Sequence, residues 1–159
     1  ISFDCHLALD GPRSLFNIGS IFRTCEAAGF SSVILGRTPG SEHPGVQKTS
    51  MGAHQWVAQE KTNDLAWTLH QKKTLGYRII GIETMKTAVA YDRFSWQEKT
   101  IAVLGNEEYG ISSSVLRVCD NMVCIPMFGR KNSINVANAA AIICFQVAGA
   151  VSQQTVESP

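Results

Sequence analysis

The sequence predicts an α/β domain, a mainly parallel sheet with helices on both faces. Three observations carry that expectation. Short β-rich runs alternate with runs of helical period. Gly, Pro, Asn and Asp mark the boundaries between them. The run TIAVL at Thr100–Leu104 is continuously apolar, as a strand buried on both faces must be.

Residues 3–9 read as the first strand, closed by the turn Asp10-Gly11-Pro12. A helix over 17–28 follows, because Ile18, Ile21, Phe22, Cys25 and Ala28 share one side at the 3.6 period and Gly29 stands where a helix stops. Residues 32–35 form the next strand. The stretch 36–55 carries Gly36, Pro39, Gly40, Pro44, Gly45 and Gly52, which predicts a loop holding one short helix; so long a punctuated loop points to function. Asn63 or Asp64 caps a helix to Leu75, with Lys72 and Lys73 in its last turn and Gly76 beyond. A strand over 78–83 follows directly. Past an irregular stretch through Trp96 come the strand Thr100–Leu104, a short helix over 113–118, a strand over 122–127, a loop over 128–132 and a long last helix.

Composition narrows the function classes. The 159 residues, 45% apolar and 17% charged, fit one domain, 1–159, without repeats or linkers. Fourteen basic against thirteen acidic residues leave a net charge of +1, so any nucleic acid must be held locally rather than drawn by a global field. Cys5, Cys25, Cys119, Cys124 and Cys144 are odd in number and form no C-x-x-C pair; they read as buried thiols in a reducing, cytoplasmic setting. The spacing from Cys119 to Cys124 is the one that suggests a metal, and no His clusters beside it, so none is expected. No N-terminal segment has the order of a signal peptide, and the longest apolar run, over 134–151, is broken by Asn135, Asn138 and Gln146, so no membrane span is expected. The chain opens at Ile1 rather than Met, which leaves room for an N-terminal piece before residue 1. Val136, Ala137, Ala140, Ala141, Ile143, Cys144, Phe145, Val147 and Ala148 surround almost all of the last helix. One sheet covers only one side of such a helix, so a homodimer through it is expected.

Ligands of open parallel sheets bind beyond the carboxyl ends of the strands, and three segments arrive there. The first, residues 17–24, places Arg23 opposite the apolar stripe and away from the core; the plain alternatives are Asn17 as an N-cap and Arg23 as a solvated cation. The second, Gly105-Asn106-Glu107-Glu108-Tyr109-Gly110, has glycines that permit close backbone approach. It is neither a G-x-G-x-x-G fingerprint nor a P-loop, which disfavours a nicotinamide enzyme or an NTPase. Glu107 either caps the next helix or meets a cation across the site. The third, residues 125–136, feeds the last helix; Ser133 reads as its N-cap, and Asn135 as an amide that needs partners of its own.

Taken together, N-I-G-x-x-x-R-T at 17–24, L-G-N-E-x-x-G-I at 104–111 and I-P-M closing in S-I-N-V over 125–136 resemble the motifs of the SpoU (TrmH-like) ribose methyltransferases of the SPOUT superfamily. A weaker match is T-S-M-G-A at 49–53, and the resemblance runs from about Phe3 to Gln153. It implies a C-terminal portion threaded as a deep trefoil knot, an exception to the rule against knots. It implies S-adenosylmethionine in the knotted loops and a homodimer in which the other subunit completes the site. By position it gives Gly105, Ile125, Met127, Ser133 and Ile134 to the cofactor, with Thr84 closing the pocket. The implied reaction moves a methyl group to a ribose 2′-hydroxyl of tRNA or rRNA. Arg23 would activate that hydroxyl. A guanidinium is a poor base, so stabilising the developing alkoxide or holding the adjacent phosphate is the easier role. Asn17 would position Arg23 or the ribose, Glu107 would anchor the arginine, and Ser133 with Asn135 would orient cofactor and substrate. Glu108 departs from a common glycine, Ile134 from leucine and Ala137 from serine. Arg13, Lys48, Arg130 and Lys131 lie in loops near the motifs as candidate phosphate contacts. Two other readings are a non-catalytic RNA-binding module of this fold and an RNA base methyltransferase of the same superfamily.

Overall fold

The computed structural model describes residues 1–157, so the last two residues of the expected domain lie outside the described part. Strands β1 (Phe3–Asp10), β2 (Phe30–Gly36), β3 (Ala58–Thr62), β4 (Arg78–Ile82), β5 (Val89–Ala90), β6 (Thr100–Leu104) and β7 (Asn121–Cys124) form one sheet in the order β3-β2-β1-β6-β4-β7-β5. Every pairing in it is parallel. The helices are α1 (Leu15–Ala28), α2 (Pro44–Ser50), α3 (Leu65–Thr74), α4 (Ser113–Leu116) and α5 (Val136–Glu157), with a 3₁₀ turn at Ala53–Gln55.

Side-chain alternation divides the core between the two faces. Cys5, Leu7 and Leu9 of β1 and Ala102 and Leu104 of β6 join Ile18, Ile21, Phe22 and Cys25 of α1 and Ala140, Ile143 and Val147 of α5. Ala8, Ile101 and Val103 join Leu65 and Leu69 of α3 and Val115 of α4 on the other face. All five residues of β6 are buried, as its unbroken apolar run requires.

The caps explain the boundaries. Ser14 accepts from the Asn17 N–H at 3.3 Å and starts α1 at Leu15, so Asn17 is not the cap but a residue of the first turn, only 6% exposed. Gly29 ends the helix at φ 75°. Of the two candidates before α3, Asp64 is the cap, accepting from the Trp67 N–H at 3.0 Å. Gly19 lets α1 and α2 cross closely, because a Cβ there would lie 2.6 Å from the Val46 carbonyl and run into the Thr49 side chain. That contact joins the N-I-G motif to the T-S-M-G-A motif.

Three departures from the sequence expectations have physical reasons. Strand β3 (AQEKT) was not anticipated, because an exposed edge strand shows no apolar alternation and tolerates Glu60 and Lys61. The strand expected over 122–127 leaves the sheet after Cys124, where Pro126 cannot extend a ladder. The N-cap of α5 is Asn135 rather than Ser133. Its Oδ1 accepts from the Ala137 and Asn138 N–H groups at 2.8 and 3.2 Å. The stretch Val136–Val156 is long and apolar enough to cross a membrane, but its Ala140, Ile143, Cys144, Val147 and Val151 side packs into the core. On another side Phe145 stays 54% exposed, so within one chain the sheet and α1 cover α5 only in part.

Candidate active site

A cavity of about 320 Å³ opens beyond the carboxyl ends of β4, β6 and β7. Its wall contains Thr84, Gly105, Glu107, Ile125, Met127, Ser133 and Ile134, which are seven of the positions singled out from sequence. Ile82, Leu104 and Val136 add apolar surface, and Glu83 and Glu108 add carboxylates. No Lys, Arg or His is among the lining residues.

The loop after β6 is built by Asn106. Its Oδ1 accepts from the Glu108 and Tyr109 N–H groups at 2.8 and 3.0 Å, while its Nδ2 donates to the Gly11 carbonyl at 2.9 Å. Asn106 and Gly110 also pair backbone to backbone in both directions. This narrow turn excludes a side chain at Gly105, where a Cβ would sit 2.2 Å from the Gly110 carbonyl carbon. Gly110, at φ 70°, leaves room for the Glu83 carboxylate, which accepts from the Ile111 N–H at 2.9 Å. Glu83 and Asn106, which both line the cavity, are given no role by the sequence. The G-N-E spacing marked Asn106's neighbourhood, but nothing in sequence pairs Glu83 with a loop 28 residues away.

The same loop is fastened to the β1–α1 turn. Glu107 accepts from the Arg13 N–H at 3.0 Å, and Glu108 meets the Arg13 guanidinium at 2.8 Å. Asp10 accepts from the Ser112 N–H at 2.7 Å. Glu107 therefore caps no helix: the N-cap of α4 is Ser112. Within one chain its partner is the Arg13 backbone, not Arg23. The extra carboxylate of Glu108 is balanced by Arg13, which removes that cation from the free phosphate contacts.

Asn17 and Asn135 do not line this cavity, but they meet each other next to it, Asn135 standing between the lining residues Ile134 and Val136. Asn135 Nδ2 donates to Asn17 Oδ1 at 3.1 Å, which joins the first motif to the third across 118 residues of chain. Thr84 Oγ1 donates to the Asn132 carbonyl at 3.2 Å and ties the β4 exit to the loop before α5. Arg23 is placed differently. It lies six residues beyond Asn17 on α1, about 9 Å along the axis at the helical rise, and is exposed. Among the described residues it has no hydrogen bond or ion pair and does not line the cavity.

Groups with displaced proton affinity lie outside the cavity wall. Burial pushes the Cys5 and Cys119 thiols up to about 11, which keeps them protonated and inert near neutral pH. The hydrogen bond that Tyr77 donates to Asp4 pushes its hydroxyl up to about 12. The Lys61 ammonium holds Glu42 down at about 2. The described residues contain no His, Cys, Asp and Glu group arranged to hold a metal.

A parallel α/β domain with a polar-rimmed cavity at its strand exits belongs to the ligand-binding class of open sheets. The chain belongs to the SpoU rRNA Methylase family, whose model matches residues 4–145. It is 28% identical over 137 residues to a tRNA (guanosine(18)-2′-O)-methyltransferase of Aquifex aeolicus, a match covering 86% of this chain and 65% of that protein. The crystal structure of the A. aeolicus TrmH/SpoU tRNA modifying enzyme superposes with a TM-score of 0.88 at 26% identity, covering 97% of this chain and 78% of the other. The SpoU methyltransferase AviRb from Streptomyces viridochromogenes, in complex with AdoMet, gives 0.80 at 26% identity, covering 99% of this chain and 63% of that one. The chain thus spans somewhat less than two thirds of the length of the curated relatives it matches, 65% and 57% for the first two.

Proposed function

We propose that this chain transfers a methyl group from S-adenosylmethionine to a ribose 2′-hydroxyl of tRNA or rRNA. The observation that carries the reading is convergence. Segments around residues 107 and 133, far apart in sequence, meet at one cavity on the carboxyl edge of the sheet, and the segment around 17 is bonded to the second of them through Asn135. The family membership and the relatives' names support the same reaction.

The cavity suits the cofactor. Ile82, Leu104, Ile125, Met127, Ile134 and Val136 offer apolar surface to an adenine. Glu83 and Glu107, which are bonded to backbone N–H groups rather than to cations, favour a positively charged sulfonium, while Glu108 is already balanced by Arg13. Thr84, Gly105, Ile125, Met127, Ser133 and Ile134 would hold the group, which supplies an electrophilic methyl. This chain's residues supply the rest. The 2′-hydroxyl ionises far above neutral pH, and each pKa unit costs about 1.4 kcal/mol. Arg23, as a permanent cation, stabilises the developing alkoxide or grips the neighbouring phosphate. The Asn17–Asn135 amide pair holds the wall against which the ribose is oriented, and Ser133 lies beside it on the same loop.

Arg23's position supports a site shared between two copies. It stands off the cavity of its own chain, and Phe145 of α5 and Phe16 of α1 are 54% and 65% exposed. A homodimer through α5 would cover that apolar side and bring the partner's arginine to the cavity, near Glu107. The reading also expects the chain before α5 to be threaded as a trefoil knot. The Thr84–Asn132 tie and the placement of β6 between β1 and β4 support that path. A reducing, cytoplasmic setting goes with it, in keeping with the free thiols among the described residues.

The test is incubation with methyl-labelled S-adenosylmethionine and total RNA, followed by alkaline hydrolysis. Label in an alkali-stable dinucleotide is expected, because a 2′-O-methyl blocks cleavage of the next phosphodiester. Label confined to mononucleotides would move the reaction to a base. Calorimetry showing no cofactor binding, with no label at all, would leave an RNA-binding module.

A further inference from the structure

The carboxyl edge of the sheet continues past the cofactor cavity toward β3. The register sets Leu9 beside Leu104, Asp10 beside Gly36 and Gly36 beside Thr62, so the exits of β6, β1, β2 and β3 form one row. At the usual strand spacing that row is about 14 Å long. Two further cavities open along it. One, of about 490 Å³, is lined by Arg37, Thr38, Lys61, Thr62 and Asn63 among others; the second, of about 150 Å³, adds Asp10, Asp64, Ser112 and Ser114. Arg37 belongs to both.

The other charges of this edge already have partners. Lys61 is paired with Glu42, Asp10 accepts from the Ser112 N–H, and Asp64 accepts from the Trp67 N–H. Arg37 makes no ion pair among the described residues. Its Nε donates to the Asn63 carbonyl at 3.2 Å, which fixes the guanidinium plane and leaves both Nη groups as donors. Its backbone is held at φ 52° by the bond from its N–H to the Thr62 carbonyl. Glycine would adopt that conformation without strain, so a long cationic side chain is kept there against a backbone preference.

Resting on the RNA-methylating function above, we propose that the β2–β3 exit is a second nucleotide subsite, in which Arg37 takes a phosphodiester of the RNA strand flanking the target ribose. A forked guanidinium presenting two free Nη groups matches the oxygens of one phosphate. Asn63 lines the same cavity and offers its side-chain amide to the sugar or base, while the Thr62 hydroxyl is already bonded to Asp64 and Thr68 and shapes the wall. The row length sets this subsite a short reach of single strand from the methyl-transfer cavity.

The experiment compares wild type with Arg37→Gln, Arg37→Lys and Arg37→Gly, using total tRNA and total rRNA as separate substrates and titrating S-adenosylmethionine by calorimetry. Arg37→Gln is expected to raise KM for the accepting RNA about tenfold with kcat little changed, and to flatten the salt dependence of RNA binding by about 0.7 in slope. Cofactor affinity is expected to stay at the wild-type value, and Arg37→Lys to lie between the two. Arg37→Gly decides the role. It relieves the backbone and should keep the Tm, so a merely structural arginine would be rescued by it, whereas a phosphate contact is lost as fully as in Arg37→Gln. Equal KM in wild type and Arg37→Gln, or rescue by glycine, overturns the subsite while methylation itself stands. No labelling of either RNA by wild type overturns the functional reading and the subsite with it.

Discussion

Two polar residues of one helix meet opposite fates. Asn17 is buried in the first turn of α1 and bonded to Asn135, whereas Arg23, six residues on, is exposed and has no partner among the described residues. The first has its partner within the chain, and the second has none there. On the proposed reading the cavity and the group assigned to activate the hydroxyl therefore differ in kind: one is a property of the fold, the other of a two-copy assembly.

The sharpest way to break that comparison is to separate the two halves on different subunits. Arg23→Ala should lower methyl transfer by at least about 100-fold while leaving cofactor affinity near wild type. Ser133→Trp should block the cavity wall. In a mixture of the two inactive proteins, about a quarter of wild-type activity should return, since half the dimers are mixed and one of their two sites is intact. No recovery would put Arg23 to work in its own chain.

Next in size is the fold-determined half. Gly105→Ala places a Cβ against the Gly110 backbone, and should cost about 1–3 kcal/mol by urea denaturation together with a loss of cofactor affinity. Wild-type stability in that variant would mean the turn is looser than the geometry shows.

Asn135 separates two functions that one side chain combines. Asn135→Ala removes the α5 cap and the Asn17 partner, and should cost about 1–2 kcal/mol. Asn135→Asp keeps the acceptor for the Ala137 and Asn138 N–H groups but loses the donor to Asn17. Most of the stability should return while activity stays low. Full activity in the aspartate variant would remove the amide pair from the site.

The smallest effect is expected at the opposite, amino end of the sheet, where Tyr77 donates to Asp4 at 2.7 Å. Its pKa is raised from 10.0 to about 12, so its contribution to stability is complete below pH 10 and is lost as pH rises through about 12. An absorbance titration should show a tyrosine ionising near 12 that Tyr77→Phe removes, with methyl transfer unchanged. A catalytic effect of that variant would show that the two ends of the sheet are coupled.

Much of this was legible in the sequence because local physics decides it. The TIAVL run of β6 is apolar from Ile101 to Leu104 because neither face sees water, and the α1 stripe repeats at the period its buried side demands. The three motifs were legible as short clusters of Gly, Asn and Glu at strand exits. What stayed hidden depends on neighbours distant in sequence. The edge strand β3 has no apolar alternation to announce it, because its faces are exposed. Asn135, rather than Ser133, caps α5, and the last turn before that helix is pinned from residue 17 as well as from within. Glu83 is committed to a loop 28 residues on, and Glu107 and Glu108 to the turn before α1. By itself the sequence determined the periodic elements and the residue types available for chemistry, since those follow from burial and backbone preference along the chain. Only the tertiary structure decided which carboxylate, amide and guanidinium are already bonded and which, like Arg23 and Arg37, still offer donors, because hydrogen bonds between distant segments are set by the path of the backbone in space.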